Sequence, residues 1–356
     1  MQEDNNLANQ VNISEGKKIA NLNELLRNSP DGHKQVKIAI FSHTFPDADA
    51  LGSALALKNL IQDNFTNAYA DVFISTDIDS LYSLILRDEV VNPTVVCEKY
   101  DYAFILDSPN VSRIGEYGLE LLERVNQNNI INIDHHATNE NFGAYNLVYP
   151  QCSSTCEILY FLASQKYHWN ISDRAAKELF QGIITDTNLL QAYPLHWRTF
   201  KAVYELSHSY KFDYQSIMTY YATHSFQKSR LNYKTLATQK LYAGGKLITM
   251  EIPNETIKRM NIKREETMGI VDLGLKVAGT TVSALFIEEE PNNVYVSIRG
   301  KGDVSVGEIA TNFGGGGGLN QAAYQKAGTL KDIKQEFIDY LLPTLESVEQ
   351  SDDLRF

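Results

Sequence analysis

Short apolar runs set the pattern of the chain: Val36-Lys37-Ile38-Ala39-Ile40-Phe41-Ser42, Tyr102-Ala103-Phe104-Ile105-Leu106 and Asn129-Ile130-Ile131-Asn132-Ile133. Their near-continuous hydrophobicity predicts strands buried on both faces, as in a parallel sheet. After the first run, Ala50 to Ile61 repeats Leu51, Leu55, Leu57 and Leu60 at helical spacing, and Ala70 to Ile74 reads as a strand, which completes a βαβ unit. Gly115 to Val125, Thr155 to Leu162 and Ala175 to Ile184 fill further helical slots. Strands alternating with helices predict a parallel sheet covered on both sides.

Upstream, the chain is polar to about Gln10, and Ile19 to Leu26 has helical spacing that stops at the turn cluster Ser29-Pro30-Asp31-Gly32. Trp197 to Ser207 and Tyr214 to Thr223 read as consecutive helices with no strand between them, an all-helical connector. A second alternating region begins near Lys246. Its strands are expected at Leu247 to Ile252, Thr281 to Ile287 and Val294 to Ile298, with helices at Val306 to Asn312, after Leu319, and at Lys331 to Leu342. The tail Ser351-Asp352-Asp353 is acidic and expected to be loose.

Polar residues follow the strands at once: His43-Thr44-Phe45-Pro46-Asp47-Ala48-Asp49, Asp107-Ser108-Pro109-Asn110 and Asp134-His135-His136, with Thr185-Asp186-Thr187 after the apolar Gly182-Ile183-Ile184. In an open α/β sheet the carboxyl ends of neighbouring strands face one crevice. A single acid there can be a turn residue or a helix cap; three strand ends with the same chemistry predict a metal site. Histidine with several carboxylates suits manganese, with magnesium, cobalt and zinc as alternatives. Two divalent ions need a shared carboxylate between them, and Asp107 is the candidate bridge. His43 and Asp47 are expected on one ion, Asp49, His135 and Asp186 on the other. Asp134 can orient one of the two rings. If His135 is a ligand, His136 is free to hold phosphoester oxygens or protonate a leaving group, against the alternative of a solvent-exposed turn histidine.

A length of 356 residues, 43% hydrophobic, suits two domains. Lys and Arg number 32 against 44 Asp and Glu, a formal charge of −12. That balance works against sequence-independent grip on long nucleic acid. The start lacks a secretory pattern and no segment has the length of a membrane span, so a cytoplasmic protein with no membrane partner is expected. Three cysteines do not make a disulfide framework. Cys152 and Cys156 are expected on one face of a helix, in a packing role.

At Asp134-His135-His136 the chain resembles the DHH phosphoesterases, named for that triplet. The segment from His43 through Asp49 to Gly52-Ser53 is similar to theirs, as are Asp107-Ser108, Cys152-Ser153-Ser154-Thr155-Cys156-Glu157 and Gly182 through Thr187, in order and spacing. The likeness runs from about Gln35 to about Gly328. The second half resembles the DHH-associated domain of the branch that includes nano-RNases and 3′-phosphoadenosine 5′-phosphate phosphatases. This implies an α/β protein of two domains around a cleft, a larger parallel-sheet metal-binding domain and a smaller α/β substrate-binding domain joined by helices. The divisions expected are 1–34, an extension and helix; 35–190, catalytic; 191–244, helical connector; 245–345, substrate-binding; and 346–356, tail.

The resemblance further implies that Asp107 and His136 serve catalysis, that Arg299 clamps a phosphate, and that the backbone of Gly315, Gly316, Gly317 and Gly318 closes around one. One departure is plain: the family has histidine after its glycines where this chain has Leu319, and the run is one residue longer. The implied activity is two-metal hydrolysis of short oligoribonucleotides or of small nucleotides. A dinucleotide hydrolase and a nucleotide-binding protein that lost catalysis are the alternatives. A homodimer is compatible with the sequence, which does not specify the oligomeric state.

Overall fold

The computed structural model describes residues 21–78, 82–86, 89–192, 195–302 and 304–347. The polar start and the acidic tail lie outside them. The chain divides into two compact units that meet between Ala222 and Thr223.

The first unit opens with helix α1 (Leu22–Arg27) and continues through β1 (Val36–Phe41), α2 (Ala48–Asn64), β2 (Ala68–Phe73), β3 (Tyr102–Leu106), α3 (Gly115–Leu122), β4 (Ile130–Asp134) and β5 (Tyr145–Val148). Helices α4 (Thr155–Phe161), α5 (Asp173–Asp186), α6 (Trp197–Ser209) and α7 (Tyr214–Ala222) complete it. Among the described residues its strands form a five-stranded parallel sheet in the order β2-β1-β3-β4-β5. Side chains of β1 alternate between two cores: Val36, Ile38 and Ile40 pack with α2, α4 and α5, while Ala39 and Phe41 pack on the α3 side. Burial on both faces is why these strands read as unbroken apolar runs. The edge strand β5 has only Leu147 buried, so it carries no such signal.

Chain direction across the sheet reverses between β1 and β3, which makes their carboxyl ends the topological switch point. Helices α2 and α5 lie against one another, and glycines at the contact permit the approach. A Cβ on Gly52 would come within 2.8 Å of the Glu178 carbonyl oxygen. One on Gly182 would collide with the Cys156 sulfur and come within 2.8 Å of Asp49 Oδ1. Cys152 lies in a turn before α4 and not on that helix; both cysteines are buried and free.

The second unit comprises α8 (Phe226–Leu236), β6 (Lys240–Tyr242), β7 (Leu247–Ile252), α9 (Asn254–Met260), α10 (Arg264–Thr267), β8 (Val282–Glu290), β9 (Asn293–Gly300), α11 (Val306–Asn312), β10 (Gly316–Gly317), β11 (Gln321–Ala327) and α12 (Leu330–Ser347). Its strands form a mixed six-stranded sheet in the order β10-β11-β9-β8-β7-β6, in which only the β7–β8 pair is parallel. The stretch expected to be an all-helical connector therefore holds a strand, β6, paired with β7. Its helices pack separately: Ala202, Leu206 and Ile217 enter the first unit's core, and Leu231 enters a core beneath β7 and β8.

The helix expected after Leu319 is instead β11. Gln321-Ala322-Ala323-Tyr324-Gln325 favours a helix by local propensity, but Ala322 and Tyr324 are buried in alternation and the segment pairs antiparallel with β9. Tertiary pairing overrides propensity here. Among the described residues no helix is long and apolar enough to cross a membrane.

Replacing Gly182 with alanine should destabilise the first unit by about 1–3 kcal/mol through overpacking, despite alanine's better helix propensity. Urea denaturation followed by circular dichroism checks the sign.

Candidate metal centre

The acids and histidines singled out in the first unit meet at the tips of β1, β3 and β4, joined there by the last residue of α5. His43 follows β1, and its Nδ1 lies 2.8 Å from the Thr44 carbonyl. That contact makes Nδ1 the protonated nitrogen and turns Nε2 inward, 3.6 Å from Asp107 Oδ2. The loop between His43 and Asp47 is pinned by the Thr44 N–H on the Arg113 carbonyl (2.7 Å) and the Phe45 N–H on Thr76 Oγ1 (2.7 Å). Asp47 is the N-cap of α2, its Oδ1 accepting the N–H groups of Asp49 and Ala50, each at 3.0 Å. Its carboxylate therefore caps a helix and still groups with His43 and Asp107 as a set able to hold a metal ion.

Asp107 is buried and follows β3 at φ 53°, the left-handed region. Holding a non-glycine residue there costs on the order of 1 kcal/mol. The conformation is secured by the Asp107 N–H on the Ile133 carbonyl (3.0 Å) and by Thr155 Oγ1, which donates to Asp107 Oδ1 at 3.1 Å. His135 Nε2 stands 3.4 Å from Asp107 Oδ1 and 3.6 Å from Asp186 Oδ2. Asp49, His135 and Asp186 make a second set with ligand atoms close enough for one ion, and Asp107, His135 and His136 a third. Asp107 thus belongs to the His43 set and also to a set containing His135.

The orienting role of Asp134 falls on the second ring. Its Oδ1 lies 2.7 Å from His136 Nδ1 and accepts the His135 backbone N–H at 2.9 Å, and its Oδ2 accepts Asn139 Nδ2 at 2.6 Å. His136 is partly exposed, with Nδ1 engaged and Nε2 left over. Thr155 and Asn139 were not anticipated. Thr155 lies in the Cys152 to Glu157 motif, a usable signal; Asn139 had none. The start of α4 also holds Asp49, which accepts the N–H groups of Thr155 (2.7 Å) and Cys156 (3.0 Å) and is fully enclosed.

The proton affinities show what this concentration of charge demands. Burial disfavours the His43 imidazolium, but its hydrogen bond to Asp107 and the charges of Asp47 and Asp107 prevail and raise its pKa to about 9. His135 is likewise raised, its burial outweighed by Asp107 and Asp186. Burial and the nearby Asp107 charge push Asp49 up to about 7, and burial pushes Asp186 upward despite His135. Burial alone would raise Asp107, yet its contacts with His135 and His43 hold it well below the usual carboxylate range. Protons thus occupy a place that suits cations, and the donor set of imidazole nitrogens and carboxylate oxygens fits divalent metals of intermediate or hard character.

The model of the DHH family, N-terminal domain, matches residues 37–184, and that of the DHHA1 domain matches residues 244–346. The chain belongs to the DHH family. It is 29% identical to the probable bifunctional oligoribonuclease and PAP phosphatase NrnA of Streptococcus mutans, over 79% of this chain and 86% of that protein. It is 28% identical to the bifunctional oligoribonuclease and PAP phosphatase NrnA of Thermus thermophilus, over 83% of this chain and 85% of that one. Its fold matches the crystal structure of an exopolyphosphatase-related protein from Bacteroides fragilis, with a TM-score of 0.79 at 22% identity, covering 91% of this chain and 96% of the other.

In the DHHA1 domain of this DHH protein, Arg299 sits on β9, with Nε 3.1 Å from Asp272 Oδ1 and Nη1 donating to the Ile298 carbonyl at 3.1 Å. Across the sheet it pairs with Gln321 of β11, whose other neighbour is the glycine strand β10. Gly314, Gly315 and Gly318 already donate their N–H groups to Thr311, Ala310 and Gln321 carbonyls. A Cβ on Gly315 or Gly317 would collide with β11, whereas Gly316 and Gly318 face open space. Much of the run is thereby committed to an edge strand. Leu319 is exposed, and its carbonyl accepts the Val306 N–H at 2.9 Å.

Because a metal needs deprotonated imidazoles and carboxylates, binding must expel the protons that His43 and His135 hold at neutral pH. Apparent affinity for manganese should therefore rise with pH until it passes about 9, where His43 loses its proton unaided. Calorimetric titrations at pH 7 in buffers of different ionisation enthalpy should show net proton release.

Proposed function

We propose that this chain is a metal-dependent phosphoesterase that hydrolyses short oligoribonucleotides, or small nucleotides such as 3′-phosphoadenosine 5′-phosphate, using two divalent ions, manganese foremost. The observation that carries this reading is the dual membership of Asp107, whose oxygens face His43 at 3.6 Å and His135 at 3.4 Å. One carboxylate between two ligand sets is what close cation pairs require. His43, Asp47 and Asp107 would hold one ion, and Asp49, Asp107, His135 and Asp186 the other. The names of the Streptococcus and Thermus relatives, each aligned over most of its length, support the substrate class.

Bound there, the two ions would supply an activated water and neutralise the charge developing on the phosphoryl oxygens. The chain's own groups do the rest. His136 presents Nε2 to the leaving oxygen. Burial lowers its proton affinity, but the Asp134 hydrogen bond and the Asp107 charge more than compensate and raise it, the direction a proton donor needs. Asp134, fixed by Asn139, keeps that ring in place. Arg299, steadied by Asp272, is assigned to a substrate phosphate. The reading includes a cytoplasmic location.

Purified protein with manganese should convert di- to pentaribonucleotides to mononucleotides and release phosphate from 3′-phosphoadenosine 5′-phosphate. An absence of product above an Asp107→Ala control on the whole panel would end the reading. Metal analysis of Asp107→Ala should find both ions lost; two retained ions would remove the bridge. His136→Gln should keep its metal and lose about 10²–10⁴-fold in kcat, as measured under saturating dinucleotide.

A further inference from the structure

The second unit carries positive charge that the metal centre does not use. A cavity of about 550 Å³ is lined by Phe226, Gln227, Arg230 and Lys234 of α8 and by Arg259 and Met260 at the end of α9. Among the described residues none of its three cations forms an ion pair. Arg230 and Lys234 are four residues apart on one helix, a like-charge spacing that weakens a helix, and Arg259 adds a third positive charge from α9. In a chain of formal charge −12 acids are abundant, yet among the described residues none forms an ion pair with this wall.

Two more features distinguish the cavity from a solvated basic face. Its walls are tied: Gln227 Nε2 donates to the Met260 carbonyl at 2.8 Å and to that of Asn261 at 3.4 Å, which fastens the end of α9 to α8. It also displays an aromatic ring. Phe226 is 80% exposed, and the Arg230 guanidinium lies 5.9 Å from its centroid. Guanidinium groups recognise phosphate through paired N–H donors, and an exposed ring beside them offers a base a surface on which to stack. The volume falls within the range of small-ligand sites, about 300–1,000 Å³.

We propose that this cavity is a nucleotide-binding site built from residues other than those of the metal centre, taking a phosphate and an adjoining base of a single-stranded oligoribonucleotide. Arg230, Lys234 and Arg259 receive the phosphate charge, and Phe226 receives the base. The choice of ligand rests on the phosphoesterase reading; the anion site does not. Such a site gives an acidic protein a local grip on RNA that its overall charge opposes.

The test uses the full chain stripped of divalent ions with EDTA, so that nothing is hydrolysed, and fluorescence anisotropy with labelled pentaadenylate. Arg230→Glu/Arg259→Glu should weaken binding at least tenfold and reduce the slope of log Kd against log salt by about 1.4, two phosphate contacts at about 0.7 each for a single strand. Arg230→Lys/Arg259→Lys should recover most of the affinity. Phe226→Ala should weaken pentaadenylate several-fold and leave inorganic tripolyphosphate competition unchanged. Wild-type affinity in the charge-reversed variant overturns the proposal. Tripolyphosphate competing as well as RNA, with no effect of Phe226→Ala, overturns the nucleotide assignment. Thermal melts check folding, and Arg259→Glu alone stands in if the double variant melts early. Dinucleotide hydrolysis by the wild type with manganese is scored separately: its absence alongside arginine-dependent pentaadenylate binding sinks the phosphoesterase reading and leaves this one standing.

Discussion

Everything in the first unit answers to the concentration of buried carboxylates at the switch point of the sheet. Asp49 and Asp107 are almost wholly enclosed, with Asp47 and Asp186 beside them. Charges that close in a medium of low polarity cannot all persist without compensation. The chain supplies part of it through His43, His135 and His136, and part through the N–H groups at the start of α4. The raised proton affinities of both Asp49 and His43 are two sides of one shortage of positive charge. A site arranged this way is built for cations.

Packing decides whether those charges meet at all. Asp49 sits in the first turn of α2 and Asp186 in the last of α5, so their separation depends on how closely the two helices lie. Gly52, Gly182 and the Cys156 sulfur occupy that contact, with no room for another methyl group. The helix contact and the ligand geometry are therefore one constraint. Cys156 serves it as a small buried hydrophobe, which is a common use of a free cysteine.

The second unit distributes its chemistry differently. Its glycines are largely absorbed in building an edge strand against β11, and Arg299 is held by Asp272 of the 3₁₀ helix Val271–Lys276. The uncompensated cations lie elsewhere, on α8 and α9. A net charge of −12 thus conceals an uneven distribution, with acids gathered at the strand tips of the first unit and bases gathered about a cavity of the second.

The parallel sheet and the clustered acids and histidines were legible in the sequence because both leave local marks. A strand buried on both faces must be apolar throughout, and residues at strand ends need no long-range information to be recognised as neighbours of a crevice. The family motifs added the order of the segments. Other features left no such mark. Strand β5 is a short edge with one buried residue, and β11 is written in helix-forming residues that only pairing with β9 turns into a strand. Which histidine Asp134 orients depends on a ring rotation that adjacency in sequence does not encode. The commitment of the glycine N–H groups, and the gathering of Arg230, Lys234 and Arg259 about one cavity, were settled by the packing of one element on another. Sequence by itself determined the donors and the strands that carry them; tertiary structure alone decided which donors share a point in space, because that depends on distances between elements and not on the residues within them.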